Sequence, residues 1–256
     1  MFSVLKSRFI QGYRTGKFPY AEPVLPERFM GRPEIDQNKC GGAVREELIK
    51  SCPSDAIAAC GDGVCIDLGK CIFCGKCREI SDGITFSRTW NTAAMKRESL
   101  VVDGSAEYEP DEDRDSFISS LCGRSFKIRQ VSAGGCAACE LDFNVLNTLA
   151  WDMGRFGIQV VASPRHADCI LVTGPVTENM ALALKKTFEA VPEPAFVILC
   201  GACAISGGIY AGSPETRSGA AGILKPDLYI PGCPPHPTAI LEGILRLTRG
   251  AWKKKN

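Results

Sequence analysis

The sequence is poor in histidine, with only two among 256 residues. That scarcity lowers the odds of most zinc sites, although an all-cysteine zinc site stays open. Charge of one sign is also missing. Thirty Lys and Arg stand against 29 Asp and Glu, a net charge of +1. No global basic field therefore favours nucleic acid, and no nucleic-acid motif is recognisable. The short basic stretch Trp252-Lys253-Lys254-Lys255 reads as a solvated end, with contact to anionic lipid or a partner as the alternative. The opening residues Met1-Phe2-Ser3-Val4-Leu5-Lys6 run into Arg8 and Arg14 without a long apolar core or small-residue cleavage site, so export is not expected. The stretch from Ala195 to Ser213 carries no charge, but Gly201, Gly207, Gly208 and Gly212 interrupt it. It reads as a buried strand followed by a glycine-rich loop rather than a membrane span.

What is abundant is cysteine, 14 residues in all. Without an export signal, cysteines clustered as C-x-x-C are metal ligands more often than disulfides. One set lies in the second half of the chain. Cys136 and Cys139 follow Gly134-Gly135, Cys203 follows Gly201-Ala202, and Cys233 stands in Pro231-Gly232-Cys233-Pro234-Pro235. Four thiolates from three loops rich in glycine and proline suit an iron–sulfur cluster, which needs soft ligands and close backbone approach. A second group holds Cys52-Pro53, Cys60 and Cys65 around a Gly61-Asp62-Gly63 hairpin turn, and Cys71, Cys74 and Cys77.

Periodicity places these groups in different units. Residues 1–35 hold Pro19, Pro23, Pro26 and Pro33, lack the pattern of a stable helix beyond the first turns, and are expected to wrap a neighbour. Residues 36–90 form a compact cysteine-rich unit. Residues 91–125, acidic from Glu107 to Asp115, read as a linker, and residues 126–256 follow an α/β pattern. In that last unit strands are predicted over 127–132, 157–161, 168–173, 195–199 and 227–230. Helices are predicted over 140–153, with Leu141, Val145 and Leu149 inward, and over 177–190 and 238–246. The expected fold is a flavodoxin-like, doubly wound parallel sheet with a smaller N-terminal α+β unit. Cys136, Cys203 and Cys233 then fall just beyond the carboxyl ends of strands, where open α/β sheets bind ligands.

The N-terminal unit resembles bacterial-type ferredoxins, whose repeat runs C-x2-C-x2-C-x3-C-P. Counted back from Cys52, the first three cysteines of that repeat would fall at Gly42, Arg45 and Leu48. In the second repeat Cys71, Cys74 and Cys77 are present and the fourth position is Ser81. Because the fourth cysteine of each repeat ligates the other repeat's cluster, all the missing ligands belong to one cluster. The resemblance implies one 4Fe–4S cluster on Cys52, Cys71, Cys74 and Cys77, and one cluster lost. The same four residues could also build a zinc site. Cys40, Cys60 and Cys65 have no place in the set, and Cys60 and Cys65 are expected to be packing residues.

The second half resembles the small, cluster-bearing subunit shared by membrane-bound nickel–iron hydrogenases, formate hydrogenlyase and respiratory complex I. The resemblance rests on Arg155-Phe156-Gly157-Ile158, Ser163-Pro164-Arg165-His166-Ala167-Asp168, Thr173-Gly174 and the Pro231–Pro235 motif. It implies a second 4Fe–4S cluster on Cys136, Cys139, Cys203 and Cys233, with Cys200 packing beneath. The C-x-x-C form at Cys136 and Cys139 is that of hydrogenase-type subunits. Where the family often has a proton-passing glutamate, this chain has Asp142, with Glu140 nearby; helix capping is the alternative role for both. His166 is expected to be a hydrogen-bonded structural residue, and Cys122 and Cys169 packing residues. The implied function is electron transfer in a multisubunit oxidoreductase. Its large subunit would carry a nickel–iron centre, and the whole would sit peripherally on the inner face of the cell membrane through other iron–sulfur or membrane subunits. The alternatives are a quinone-reactive or nickel-free relative and a zinc-stabilised assembly module without redox function.

Overall fold

The computed structural model describes residues 2–12, 14–104, 122 and 124–249. The acidic stretch Glu107 to Asp115 and the basic tail from Trp252 lie outside the described residues.

Helix α1 (Phe2–Gln11) buries none of its residues. The proline-bearing segment after it runs along the rest of the chain. Gly16 N–H donates to Ala150 O at 2.7 Å, and Arg155 donates to Gly16 O and Phe18 O at 3.0 and 2.6 Å. Phe18 is buried edge-on against Trp90, and Arg88 donates to Leu25 O at 2.8 Å. The segment thus wraps its neighbours, as its composition suggests.

The cysteine-rich unit is antiparallel. Strand β1 (Pro33–Ile35) pairs with β4 (Ile84–Phe86), while β2 (Ile57–Cys60), β3 (Gly63–Asp67) and β5 (Val101–Val102) form a second small sheet. The Gly-Asp turn between β2 and β3 forms as expected, with Gly61 at φ +58°. Helix α2 (Gly42–Ser51) and the short α3 (Lys76–Ile80) pack on these strands. Three of the four positions assigned to lost ligands, Gly42, Arg45 and Leu48, lie on α2. Leu48 is fully buried among Cys40, Ile57, Val64, Ile66 and Ile84. The fourth, Ser81, is buried; its Oγ donates to Lys39 O at 3.2 Å and lies 3.9 Å from Cys40 Sγ. Aliphatic packing at Leu48 and a hydrogen bond to backbone at Ser81 occupy two of those positions, while Gly42 is exposed and Arg45 donates to Gly61 O at 3.3 Å. Cys40, which spacing left without a place, meets Ser81 there.

The second half is a five-stranded parallel sheet in the order β10-β9-β8-β6-β7. Its strands are β6 (Phe126–Ser132), β7 (Ile158–Val160), β8 (Cys169–Thr173), β9 (Phe196–Cys200) and β10 (Leu228–Ile230). Helices α4 (Ala138–Val145) and α7 (Pro237–Arg249) cover one face with Phe143, Leu146, Ile240 and Ile244. Helices α5 (Glu178–Glu189) and α6 (Ala202–Ser206) cover the other with Leu184, Ala204 and Ile205. Every residue of β8 and β9 is buried, as a strand covered on both faces requires. This is the flavodoxin-like order, with its switch point where β6 and β8 lie side by side and the strand order reverses.

The helix expected over 140–153 is a correction. It ends at Val145, and a 3-10 turn at Met153–Phe156 follows separately. Phe143 and Leu146 face inward, while Leu141 and Leu149 are 64% and 77% exposed. The chain bends back on itself: Asp152 N–H donates to Thr148 O at 2.8 Å and Met153 N–H to Leu146 O at 3.0 Å. Cys122, Cys169 and Cys200 are buried as expected.

The two sheets share one continuous core, in which Ile66, Leu100, Ala204, Ile205 and Tyr229 belong to the same apolar cluster. Ala94 bridges antiparallel to Tyr229 on the edge strand β10, and Ser206 Oγ donates to Gly69 O at 2.8 Å. Arg97 clamps Asp67 through paired bonds of 2.8 and 2.5 Å, a planar fork on a half-buried carboxylate. Leu48→Ala is expected to cost about 2–5 kcal/mol, since it removes a fully buried side chain from a core with no slack. Chemical denaturation of the full chain measures this; an unchanged midpoint would mean that α2 does not anchor the N-terminal unit.

Candidate metal centres

The two cysteine sets are assembled differently. In the first, Cys52 caps the C-terminal end of α2, while Cys71, Cys74 and Cys77 come from the loop before α3 and its first turn. All four line one small pocket, walled by Ile57, Ile66, Ile72 and Phe86. Phe73 takes φ +53° and Gly75 φ +77°, so the loop curls around the cavity. Backbone amides point at the sulfurs: Ala56 N–H meets Cys52 Sγ at 3.3 Å and Phe73 N–H meets Cys71 Sγ at 3.3 Å.

The second set sits along the carboxyl edge of the parallel sheet. Cys136 and Cys139 follow β6 at the switch point, Cys203 lies in α6 just after β9, and Cys233 follows β10. The Cys139, Cys203 and Cys233 thiols act electrostatically on one another and on Cys136. Close approach is built in. Gly201 has φ +93°, and a Cβ there would stand 2.6 Å from Cys139 Sγ; at Gly232, φ +147°, it would stand 2.4 Å from Pro235 Cα. The Cys233–Pro234 peptide is cis.

Burial sets the electrostatics of both sets. Desolvation, with smaller repulsion from neighbouring cysteines, pushes Cys71 and Cys139 up to about 12 and Cys77 and Cys203 up to about 11. It also raises Cys233 above its ordinary value. The thiolate forms of Cys71, Cys77, Cys139 and Cys203 are costly unless a cation replaces their protons. Soft thiol donors in a partly apolar pocket, with the Ala56 and Phe73 amides directed at the sulfurs of the first set, suit a 4Fe–4S cluster. Among the described residues no three His, Cys, Asp or Glu side chains come close enough to hold one metal ion.

The two carboxylates next to the second set differ in environment. Glu140 is buried, and its Oε1 accepts hydrogen bonds from Ser132 Oγ at 2.6 Å and Thr173 Oγ1 at 2.7 Å. That bolts the start of α4 to the ends of β6 and β8, so Glu140 does not serve as a simple first-turn cap. Asp142 opens instead into a cleft of about 270 Å³ shared with Cys233, His236, Phe29 and Trp90. Burial raises its carboxyl above the usual 3.8.

His236 was missed in the sequence, although it follows the Cys233 motif and is one of only two histidines. Its ring stands edge-on to Phe29 and Trp151, at centroid distances of 5.5 and 6.0 Å, and Nδ1 accepts from Thr238 N–H at 3.2 Å. Burial lowers its pKa. His166, expected to be a bonded structural residue, is exposed on a 3-10 turn instead. Cys60 is exposed as well, and so does not pack.

Comparison with known proteins concerns chiefly the second half of the chain. The family model for the NADH ubiquinone oxidoreductase 20 Kd subunit matches residues 136–247, a stretch that begins at Cys136 and includes Cys139, Cys203 and Cys233. The membrane-bound hydrogenase subunit mbhJ of Pyrococcus furiosus is 41% identical over 131 residues, covering 50% of this chain and 78% of that protein. An NADH-quinone oxidoreductase subunit of Geotalea daltonii is 43% identical over 125 residues, covering 48% and 71%. Among solved structures, a chain of the membrane-bound sulfane sulfur reductase, an archaeal respiratory membrane complex, is 32% identical with a TM-score of 0.45, covering 52% of this chain and 74% of that one. The fold and site define a subunit of a multisubunit oxidoreductase. The chain belongs to the NADH ubiquinone oxidoreductase 20 Kd subunit family.

The Asp142 environment has a pH signature. A carboxyl whose pKa is raised on folding binds its proton more tightly in the native state, so ionisation opposes folding. That cost is absent below 3.8, grows as pH rises through the raised value and is complete above it. Asp142→Asn is therefore expected to raise the melting temperature at neutral pH, with the gain fading as pH falls towards 3.8. A gain that instead grew on acidification would place the carboxylate in a stabilising ion pair.

Proposed function

We propose that this chain is an electron-transfer subunit of a membrane-associated oxidoreductase of the nickel–iron hydrogenase or formate hydrogenlyase type. Cys52, Cys71, Cys74 and Cys77 would hold one 4Fe–4S cluster, and Cys136, Cys139, Cys203 and Cys233 a second. Bound there, each cluster supplies a one-electron carrier whose potential depends on burial and on hydrogen bonds to sulfur. The chain's own residues provide those conditions. Ile57, Ile66, Ile72 and Phe86 keep the first pocket apolar, and the Ala56 and Phe73 amides donate to its sulfurs. Gly201 lets the backbone reach Cys139, and Glu140 fixes the helix that presents it.

The observation that carries the reading is the convergence of two separate cysteine quartets. One lies in a single cavity and the other along the sheet edge matched by the family. The two cysteine loops also face one cleft, which Ile72, Phe73 and Cys233 line together, so electrons would cross a short protein path between the sets. Asp142, half-buried in that cleft, would hold or pass a proton at its carboxylate beside the partner that completes the active site. That partner would be a large subunit carrying the nickel–iron centre, with further iron–sulfur or membrane subunits beyond it. Among the described residues no helix is long and apolar enough to cross a membrane, so attachment on the inner face would come through those partners.

The NADH-quinone oxidoreductase relative supports a second reading. It keeps the same electron path and replaces the nickel–iron centre with a quinone-reactive site on the large subunit. Anaerobic purification with the natural partners and metal analysis separates the two readings. About eight irons per copy, with nickel in the large subunit, is the expected result. Iron without nickel would select the quinone-reactive reading. Cys203→Ser and Cys52→Ser are each expected to remove about four irons and four acid-labile sulfides from the chain. Stoichiometric zinc without labile sulfide would overturn both readings in favour of an assembly module.

A further inference from the structure

Cys60 and Cys65 belong to neither quartet, yet the hairpin brings them together. In the β2–β3 register Ala58 pairs with Cys65 and Cys60 with Gly63, so the two cysteines are diagonal neighbours on one face. The two thiols act on each other across the strands. Cys60 is exposed and Cys65 half-buried beside Asp103. The opposite face of the same two strands carries Ile57 and Ile66, a directly paired couple that lines the cavity of Cys52, Cys71, Cys74 and Cys77. The pair thus sits on the outside of the hairpin whose inside walls a cluster pocket.

We propose that Cys60 and Cys65 form a reversible dithiol/disulfide couple that exchanges with low-molecular-weight disulfides. Cys60, open to solvent, is the attacking thiol. Its thiolate displaces one sulfur of a disulfide RSSR, forming a Cys60–SR bond and releasing RS⁻, which takes up the proton Cys60 lost. Cys65 then attacks Cys60 Sγ, forming the Cys60–Cys65 bond and releasing the second RS⁻, which takes up the Cys65 proton. Two protein thiols lose two electrons in all, and one RSSR is reduced to two RSH.

The division of labour follows from exposure. Burial and the neighbouring Cys60 and Asp103 raise Cys65, which suits it to resolve a mixed disulfide rather than to attack first. An accessible disulfide across a hairpin is the labile, regulatory kind, and one that forms and breaks under a thiol buffer. Closing it would tie β2 to β3 two residues from the turn and stiffen the wall formed by Ile57 and Ile66. The couple requires no metal and stands independently of the electron-transfer reading.

The test uses the full chain, purified anaerobically with its partners and equilibrated in glutathione buffers of stepped ratio. Free thiols are blocked, and the peptides are mapped by mass spectrometry. Cys60 and Cys65 are expected to lose reactivity together in one two-electron step, as a single peptide lacking two hydrogens, and to recover with dithiothreitol. Their loss of labelling should be at least about tenfold between the reducing and oxidising ends. In Cys65→Ser, Cys60 is expected to accumulate as the mixed glutathione disulfide. The proposal is overturned if wild-type Cys60 carries glutathione while Cys65 stays free, or if both remain alkylatable in excess glutathione disulfide. The wild-type mapping decides the matter even if the variant does not fold.

Discussion

Half-buried thiols crowded next to other thiols are the constraint around which this structure is arranged. Cys71 and Cys77 in one pocket and Cys139 and Cys203 in the other are pushed far above the ordinary thiol range by desolvation, with each other's charge adding to the effect. Such groups are costly as thiolates until a cation offsets them. Around them the backbone comes close: amides reach Cys52 and Cys71 sulfurs, Gly201 stands where a Cβ would collide with Cys139, and apolar side chains wall the first pocket. The local backbone irregularities at Phe73, Gly75, Ala137 and Gly201 all fall in the loops that carry these cysteines.

The fusion of two units follows the same logic. Electron transfer between two centres needs a fixed separation, and a flexible tether would not hold one. Here the antiparallel unit and the parallel sheet share one apolar core, an edge bridge from Ala94 to Tyr229 and a hydrogen bond from Ser206 Oγ to Gly69 O. The leading segment is tied to both halves through Arg155 and Arg88. Leu48 and Ser81, two positions where the ferredoxin repeat would have cysteine, instead contribute to the packing of the frame.

Much of this was legible in the sequence because its signals are local. Fully apolar runs announced β8 and β9, the Gly-Asp-Gly turn announced the β2–β3 hairpin, and glycine and proline beside cysteine marked the loops of the second set. The misreadings arose where tertiary context overrode a local pattern. Leu141, Val145 and Leu149 have helical spacing, but the sheet selects Phe143 and Leu146, and Leu141 and Leu149 are left facing outward. Glu140 reads as a cap until the hydroxyls of Ser132 and Thr173 are brought to it from two different strands. The meeting of Cys40 with Ser81, 41 positions apart, has no signature in spacing. Nor does the aromatic setting of His236, which depends on Phe29 from the leading segment.

Low-temperature electron paramagnetic resonance of the dithionite-reduced complex, compared between the wild type and the Cys52→Ser and Cys203→Ser variants, tests the central claim most directly. Two 4Fe–4S signals are expected from this chain after the partners' signals are subtracted, each removed by one variant and retained in the other. A single signal abolished by both substitutions, or no signal from this chain at all, would contradict the assignment of two independent centres.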